Sequence, residues 1–205
     1  MNINMLYYLG SKFSSNSFTV NSISLTAEID DKGKTDAMKL LEGQYESFTF
    51  PIVFKHVSGK NHCDLIGTGW GILYLISDRM KKLLEENNLT GWKSFPVEIV
   101  DNKGEKIQEV YHGFSIVGRS GSINYKKSEI IEKRLVPNGP LSKYYKGLHP
   151  GMENWDGSDF FLPEKHWGII VTQKAKDILT ERQMKNLVFQ NLAEIEIGVN
   201  AILKN

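Results

Sequence analysis

Trp70–Ile99 reads WGILYLISDRMKKLLEENNLTGWKSFPVEI, and a version of it returns at His166–Ile197 as HWGIIVTQKAKDILTERQMKNLVFQNLAEIEI. At an offset of 95, Ser77 falls on Thr172, Arg79 on Lys174, Lys81 on Lys176, Leu83 on Ile178, Leu84 on Leu179, Glu86 on Glu181 and Leu89 on Met184. The Trp-Gly-Ile leads, Trp70 and Trp167, match once two residues are removed. Each copy predicts a short apolar strand, a hydroxyl residue, an amphipathic helix, a polar turn and a second strand. Ile72–Ile76 is an apolar run of strand length, and Ser77, like Thr172, can accept a hydrogen bond from an orphan amide at a helix start. Met80, Leu83 and Leu84, and likewise Ala175, Ile178 and Leu179, follow i, i+3, i+4 spacing, so each helix has one apolar face to lay on a sheet. Asn88, Gly91 and Asn186 supply turn chemistry before Trp92–Ile99 and Leu187–Ile197 resume as strands. Pro96 argues for a sheet edge or a bulge.

Working outward, Met5–Leu9 reads as a first strand, and Ser11–Ser24 as an exposed loop in which Phe18, Val20 and Ile23 can form a short edge strand. Asp36–Leu41 has helical periodicity for under two turns. In Ser47–Val57, Phe48, Phe50, Ile52 and Phe54 alternate onto one face of a half-buried strand, with Pro51 favouring an edge. Asp101–Gly104 is a tight-turn signal that makes Lys106–Val117 the hairpin partner of Val97–Val100. Gly118–Gly121 reads as a further turn. Ser128–Leu135 fits a short helix or a strand, and Pro137–Pro150 an ordered loop tethered by Tyr144, Tyr145 and Leu148. Asn154–Pro163 is a second loop.

The expected fold is α+β, with few helices and two similar strand-helix-strand units packed on a mainly antiparallel sheet. It is read as one domain over 1–205: N-terminal strands and loops at 1–69, the first unit at 70–100, a hairpin and long loops at 101–165, and the second unit at 166–198.

With 25 basic and 24 acidic residues the net charge is +1, so there is no global field to draw nucleic acid or an anionic membrane. The one cysteine, Cys63, has no partner for an intramolecular disulfide, which fits a reducing compartment. The N-terminal MNINMLYYLGSKFSS has no basic residue ahead of its apolar run and reads poorly as a signal peptide. No stretch reaches the roughly 20 apolar residues that span a bilayer. A cytoplasmic location is therefore expected.

Several groups invite chemistry. His56, His62 and Cys63 suggest a nucleophile or metal site, but the local spacing offers no third and fourth ligand. Val117–Ser122, VGRSGS, can bare amides to an anion, yet it lacks the phosphate-loop ending and reads better as a turn. Arg119, Lys126, Lys127, Lys133 and Arg134, with Tyr125 for stacking, are interrupted by Glu129 and Glu132 and read as a mixed, solvated surface. His112 reads as a structural imidazole. The most distinctive loop is Trp155–Phe161, WDGSDFF, whose carboxylates Asp156 and Asp159 can pair around a cation or as acid and base, or can bond their own backbone while the aromatics anchor the turn. No catalytic constellation, metal-ligand set or cofactor motif emerges.

The hydroxyl-capped helix, the Leu89-Thr90-Gly91 that precedes a strand and the WDGSDFF loop resemble a group of bacterial proteins related to immunity proteins of polymorphic toxin systems, over about residues 65 to 198. That resemblance implies a non-enzymatic cytoplasmic protein that binds and blocks a cognate protein toxin made by the same cell or its kin. The expected contact surface comprises Trp155, Asp156, Asp159, Phe160 and the Tyr144-Tyr145 loop, since aromatics with acidic neighbours make good anchors. The competing expectations are a small-ligand site or hydrolase between the two units using Asp156, Asp159 or His112, and a structural subunit of a larger assembly.

Overall fold

A computed structural model describes residues 2–12, 16–134 and 136–199. Its strands are β1 (Leu6–Ser11), β2 (Thr19–Ser22), β3 (Ile52–Ser58), β4 (Leu65–Gly67), β5 (Tyr74–Ser77), β6 (Trp92–Val100), β7 (Tyr111–Ile116), β8 (Gly118–Ser120), β9 (Glu129–Arg134), β10 (Leu141–Lys146), β11 (Phe160–Pro163), β12 (Ile170–Thr172), β13 (Leu187–Asn191) and β14 (Glu196–Gly198). The helices are α1 (Asp36–Leu41), α2 (Asp78–Glu86) and α3 (Gln173–Glu181).

The strands form three sheets in place of the one expected, ordered β2-β3-β6-β7-β5-β4, β13-β1-β12-β11-β8 and β14-β10-β9. Pairing is antiparallel except at β3–β6 and β8–β11. A bridge between Val20 and Thr68, with the Gly69 amide donating to Val20 O, brings the two edges of the six-stranded sheet together.

Both helices after an apolar strand start as the sequence predicts. Ser77 Oγ accepts the Met80 amide at 3.1 Å, and Thr172 Oγ1 accepts the Ala175 amide at 3.3 Å. Each satisfies a donor that the first helical turn leaves unpaired. Met80, Leu83 and Leu84 of α2 are buried, as are Ala175 and Leu179 of α3. Both helices end through a residue at positive φ, Asn88 at 50° and Gln183 at 51°, followed by Gly91 at 85° and Asn186 at 70°. In β5-α2-β6 the two strands flank β7, and in β12-α3-β13 they flank β1, antiparallel in every case. The N-terminal strand thus takes beside α3 the place that β7 takes beside α2.

The larger core joins the six-stranded and five-stranded sheets, with Phe54, Phe95, Phe114 and Phe160 fully buried, and the smaller core gathers Leu6, Leu148, Phe161, Ile170, Leu192 and Ile195. Burying each such side chain contributes about 1.5–3 kcal/mol.

Four local expectations are corrected. Gly118–Gly121 is not a free turn: Gly118–Ser120 is β8, parallel to β11, and a Cβ on Gly118 would lie 2.0 Å from Ser158 Oγ. The glycine there allows close approach of backbones. Neither proline marks an edge. Pro51 precedes β3, which lies between β2 and β6, while Pro96 lies where β6 changes partner, from β7 at residues 92–96 to β3 at residues 97–100. A missing N–H costs little where one ladder ends and the other begins. Ser128–Leu135 resolves as strand β9, with Leu135 outside the described residues, and Pro137–Pro150 contains β10, so Tyr144 and Tyr145 belong to a strand and not to a loop. The Ser11–Ser24 segment does hold the edge strand β2, and residues 13–15 of it lie outside the described residues.

Candidate functional site

The Trp155–Phe161 loop is closed by its own polar groups. Asp156 Oδ1 accepts from Ser158 Oγ at 2.5 Å and from the Ser158 amide at 3.0 Å, while Oδ2 accepts the Arg119 amide at 2.9 Å. Partial burial pushes the Asp156 carboxyl up, but these bonds outweigh it and hold it below the usual carboxylate range. The Trp155 indole donates to Ser158 O at 3.2 Å, and its ring leans on Phe161 at 5.8 Å. Trp155 is half-buried and Asp156 exposed.

Asp159 and Phe160 face inward. Phe160 is fully buried against Phe114, so it supports the loop and offers no surface to a partner. Asp159 is 7% exposed; its Oδ2 accepts the Thr90 amide at 3.0 Å and Lys174 Nζ at 3.2 Å, and its Oδ1 accepts Thr172 Oγ1 at 3.2 Å. Asp156 and Asp159 therefore serve different partners and do not converge as an acid–base pair or a shared cation cage.

Asp64 makes the same pattern of contacts 95 residues earlier. Its Oδ1 accepts Ser77 Oγ at 2.7 Å, and its Oδ2 accepts the Lys185 amide at 2.7 Å and Arg79 at 3.1 Å. The backbone repeats it: the Ser77 amide donates to Asp64 O and the Leu65 amide to Lys185 O, as the Thr172 amide donates to Asp159 O and the Phe160 amide to Thr90 O. Each buried carboxylate thus ties the start of one helix to the turn after the other. A buried carboxylate needs such partners to remain charged. Asp64 went unread in the sequence, although Asp64-Leu65 stands 95 residues before Asp159-Phe160.

Tyr144 and Tyr145 point to opposite faces of β10, as strand alternation requires. Tyr145 packs on Tyr125 at 5.2 Å, and Lys133 Nζ lies 4.7 Å from the centre of the Tyr144 ring. Tyr125 and Trp155 both pack against the smaller core.

His112 lies elsewhere, its Nε2 3.3 Å from Asp78 Oδ1. His56 and His62 sandwich Phe18 at 4.6 and 4.3 Å, and the Tyr111 hydroxyl donates to Cys63 O at 3.2 Å. Burial, with Asp64 nearby, pushes the Cys63 thiol up, away from the thiolate a nucleophile needs. Between the two strand-helix-strand segments lies an open cleft of about 790 Å³, lined by Asp78, Arg79 and Lys82 of α2 and by Glu181, Arg182 and Lys185 at the end of α3. Neither Asp156, Asp159 nor His112 lines it. Among the described residues no helix is long and apolar enough to cross a membrane.

Two strand-helix-strand segments, each tied by a buried carboxylate, make a β-rich scaffold whose distinctive loop is closed by its own hydrogen bonds and turns Trp155 and Asp156 toward solvent. The chain belongs to the Imm11 immunity protein family, whose model matches residues 17–194. No curated protein matches the chain.

Proposed function

We propose that this protein is a toxin-neutralising immunity protein of a bacterial polymorphic toxin system, acting in the cytoplasm by binding its cognate toxin. The observation that carries the reading is the family match over residues 17–194. Binding suits the loop, since Trp155 is a large half-buried anchor beside the exposed carboxylate of Asp156. Trp155, Asp156 and Tyr145 are the proposed contacts, with Tyr144 on the opposite face of β10; Asp159 and Phe160 hold the loop from beneath. The two strand-helix-strand segments are, in this reading, copies of one unit, a view supported by their matching caps, turns and carboxylates. The test is rescue in a sensitive host. The toxin domain of the same polymorphic toxin system is expressed with and without this chain, and restored growth is expected. Continued killing at full expression of both refutes the reading.

A second reading has one observation in its favour. The charged cleft of about 790 Å³ is large enough for a small ligand. A metabolite screen by thermal shift separates the two, because a ligand at 100 times its Kd adds about 2.7 kcal/mol.

A further inference from the structure

The stretch from Ser122 to Lys146, which holds β9 and β10, has no buried residue among those described. It carries three large apolar side chains that stand more than half in solvent: Ile130 at 59%, Val136 at 59% and Leu141 at 57%. The register sets Ile130 opposite Tyr145, and Tyr145 opposite Ile197 of β14. Alternation adds Leu141 to that face beyond the Glu132–Lys143 ion pair, so Ile130 and Leu141 stand on it as two separate exposed apolar side chains, while Tyr145 and Ile197 at its inner end are packed.

Charge is segregated in the same place. Six of the 25 basic residues but only two of the 24 acidic ones lie between Ser122 and Lys146. Lys133, Lys143 and Lys146 pair with Glu196, Glu132 and Glu194, whereas Lys126, Lys127 and Arg134 have no carboxylate within ion-pair distance among the described residues. The stretch thus carries a net charge of +4, with Lys126 and Lys127 in the turn that leads into β9, on a body whose remaining residues carry an acidic excess. Its outer strand is open as well: among the described residues β9 pairs only with β10, and it has no proline or bulge, its charged side chains being what guards that edge.

We propose that the β9–β10 hairpin is the docking arm for the protein partner, adding an acidic, extended segment of that partner along the free edge of β9 while Ile130 and Leu141 are covered by its apolar side chains. This rests on the toxin-binding reading above and names the surface that serves it. Main-chain pairing supplies affinity in such strand addition, and side chains on alternate positions supply specificity. A second copy of this chain fits less well, because it would bring one basic arm against another. Nucleic acid also fits less well: the Tyr144 ring lies under Lys133 and the Tyr145 ring packs on Tyr125, so neither is a free platform for a base.

The experiment uses the full chain and, as probe, the purified toxin domain of the same polymorphic toxin system, with affinity measured by calorimetry. The variants are Ile130→Ser with Leu141→Ser, and Lys126→Glu with Arg134→Glu; Ile29→Ser, 70% exposed and outside the hairpin, is the control. Each hairpin variant is expected to weaken binding by about tenfold or more, with the control unchanged. Raising NaCl from about 50 to about 500 mM should weaken the wild type more steeply than the charge-reversed variant. Should a variant lose its fold, hydrogen exchange on the wild type decides instead, with slowed amides in Glu129–Arg134 expected on binding. Binding within about twofold of wild type in both folded variants, or unprotected β9 amides in the complex, overturns the proposal and leaves the immunity reading standing. Hairpin-dependent self-association by light scattering, or competition by an RNA oligonucleotide, overturns it in favour of the other occupants. A wild-type chain that does not bind the toxin domain removes the reading on which the proposal rests.

Discussion

Replacing Asp159 by alanine should unfold a large part of the stability margin without touching the partner surface. The carboxylate is 7% exposed and accepts from the Thr90 amide at 3.0 Å, Thr90 Oγ1 at 3.3 Å, Thr172 Oγ1 at 3.2 Å and Lys174 Nζ at 3.2 Å. Lys174 is 56% exposed, so its ion pair contributes at most about 1 kcal/mol after solvent screening. The backbone bond is worth more. A hydrogen bond to a charged group contributes about 1.5–3 kcal/mol, and truncation takes this acceptor from the Thr90 amide and from the buried Thr172 hydroxyl. Together the loss should be about 3 kcal/mol, against a total stability of about 5–15 kcal/mol for a typical domain. Asp159→Asn retains one acceptor oxygen and should lose about half as much. Urea unfolding followed by circular dichroism measures the change as a lower midpoint at constant slope. A loss below about 1 kcal/mol for the alanine variant would refute the buried-lock reasoning. So would a folded, fully stable variant that loses partner affinity, because Asp159 would then act at the surface.

Other perturbations follow from the same geometry. Ser77→Ala removes both the cap of α2 and a donor to Asp64, so it should cost about 2 kcal/mol in the same urea assay. Gly113→Ala would set a Cβ 2.0 Å from the Phe95 ring, which is 1% exposed, and should destabilise by about 1–3 kcal/mol or more; a melting temperature equal to wild type would contradict the packing. Burial pushes the His166 imidazole, which stacks on Tyr8 at 5.4 Å, below its ordinary value. The unfolded chain then binds more protons, so this contribution is complete above about pH 6.5 and is lost as pH falls through that value. His166→Gln should flatten the stability profile between about pH 7 and pH 5, measured by urea midpoints across that range.

The sequence was most legible where one residue's chemistry settles local geometry. The hydroxyls Ser77 and Thr172 announced their helices, the spacing of Met80, Leu83 and Leu84 identified the buried face, and Asp101–Gly104 announced the turn between β6 and β7, although β7 pairs with Trp92–Pro96 and not with Val97–Val100, which pair with β3. Pairing at long range was not legible. Nothing local shows that β1 inserts between β12 and β13, or that the six-stranded sheet closes through Val20 and Thr68. The glycines at 118–121 suggested a turn because a glycine needed for close approach has the same letter as one needed for positive φ. The WDGSDFF loop was recognised as a unit, but its residues divide by direction, with Trp155 and Asp156 outward and Asp159 and Phe160 inward. Alternation across so irregular a loop gives no warning of that split.

The most direct test titrates the purified chain into the toxin domain proposed as its partner while the toxin's own activity is followed. The expected result is a saturable complex of one chain per toxin domain, with dissociation in about the nanomolar range and activity falling in step with occupancy. Heat of mixing no greater than dilution, with toxin activity unchanged at an excess of this chain, would contradict the account at its centre.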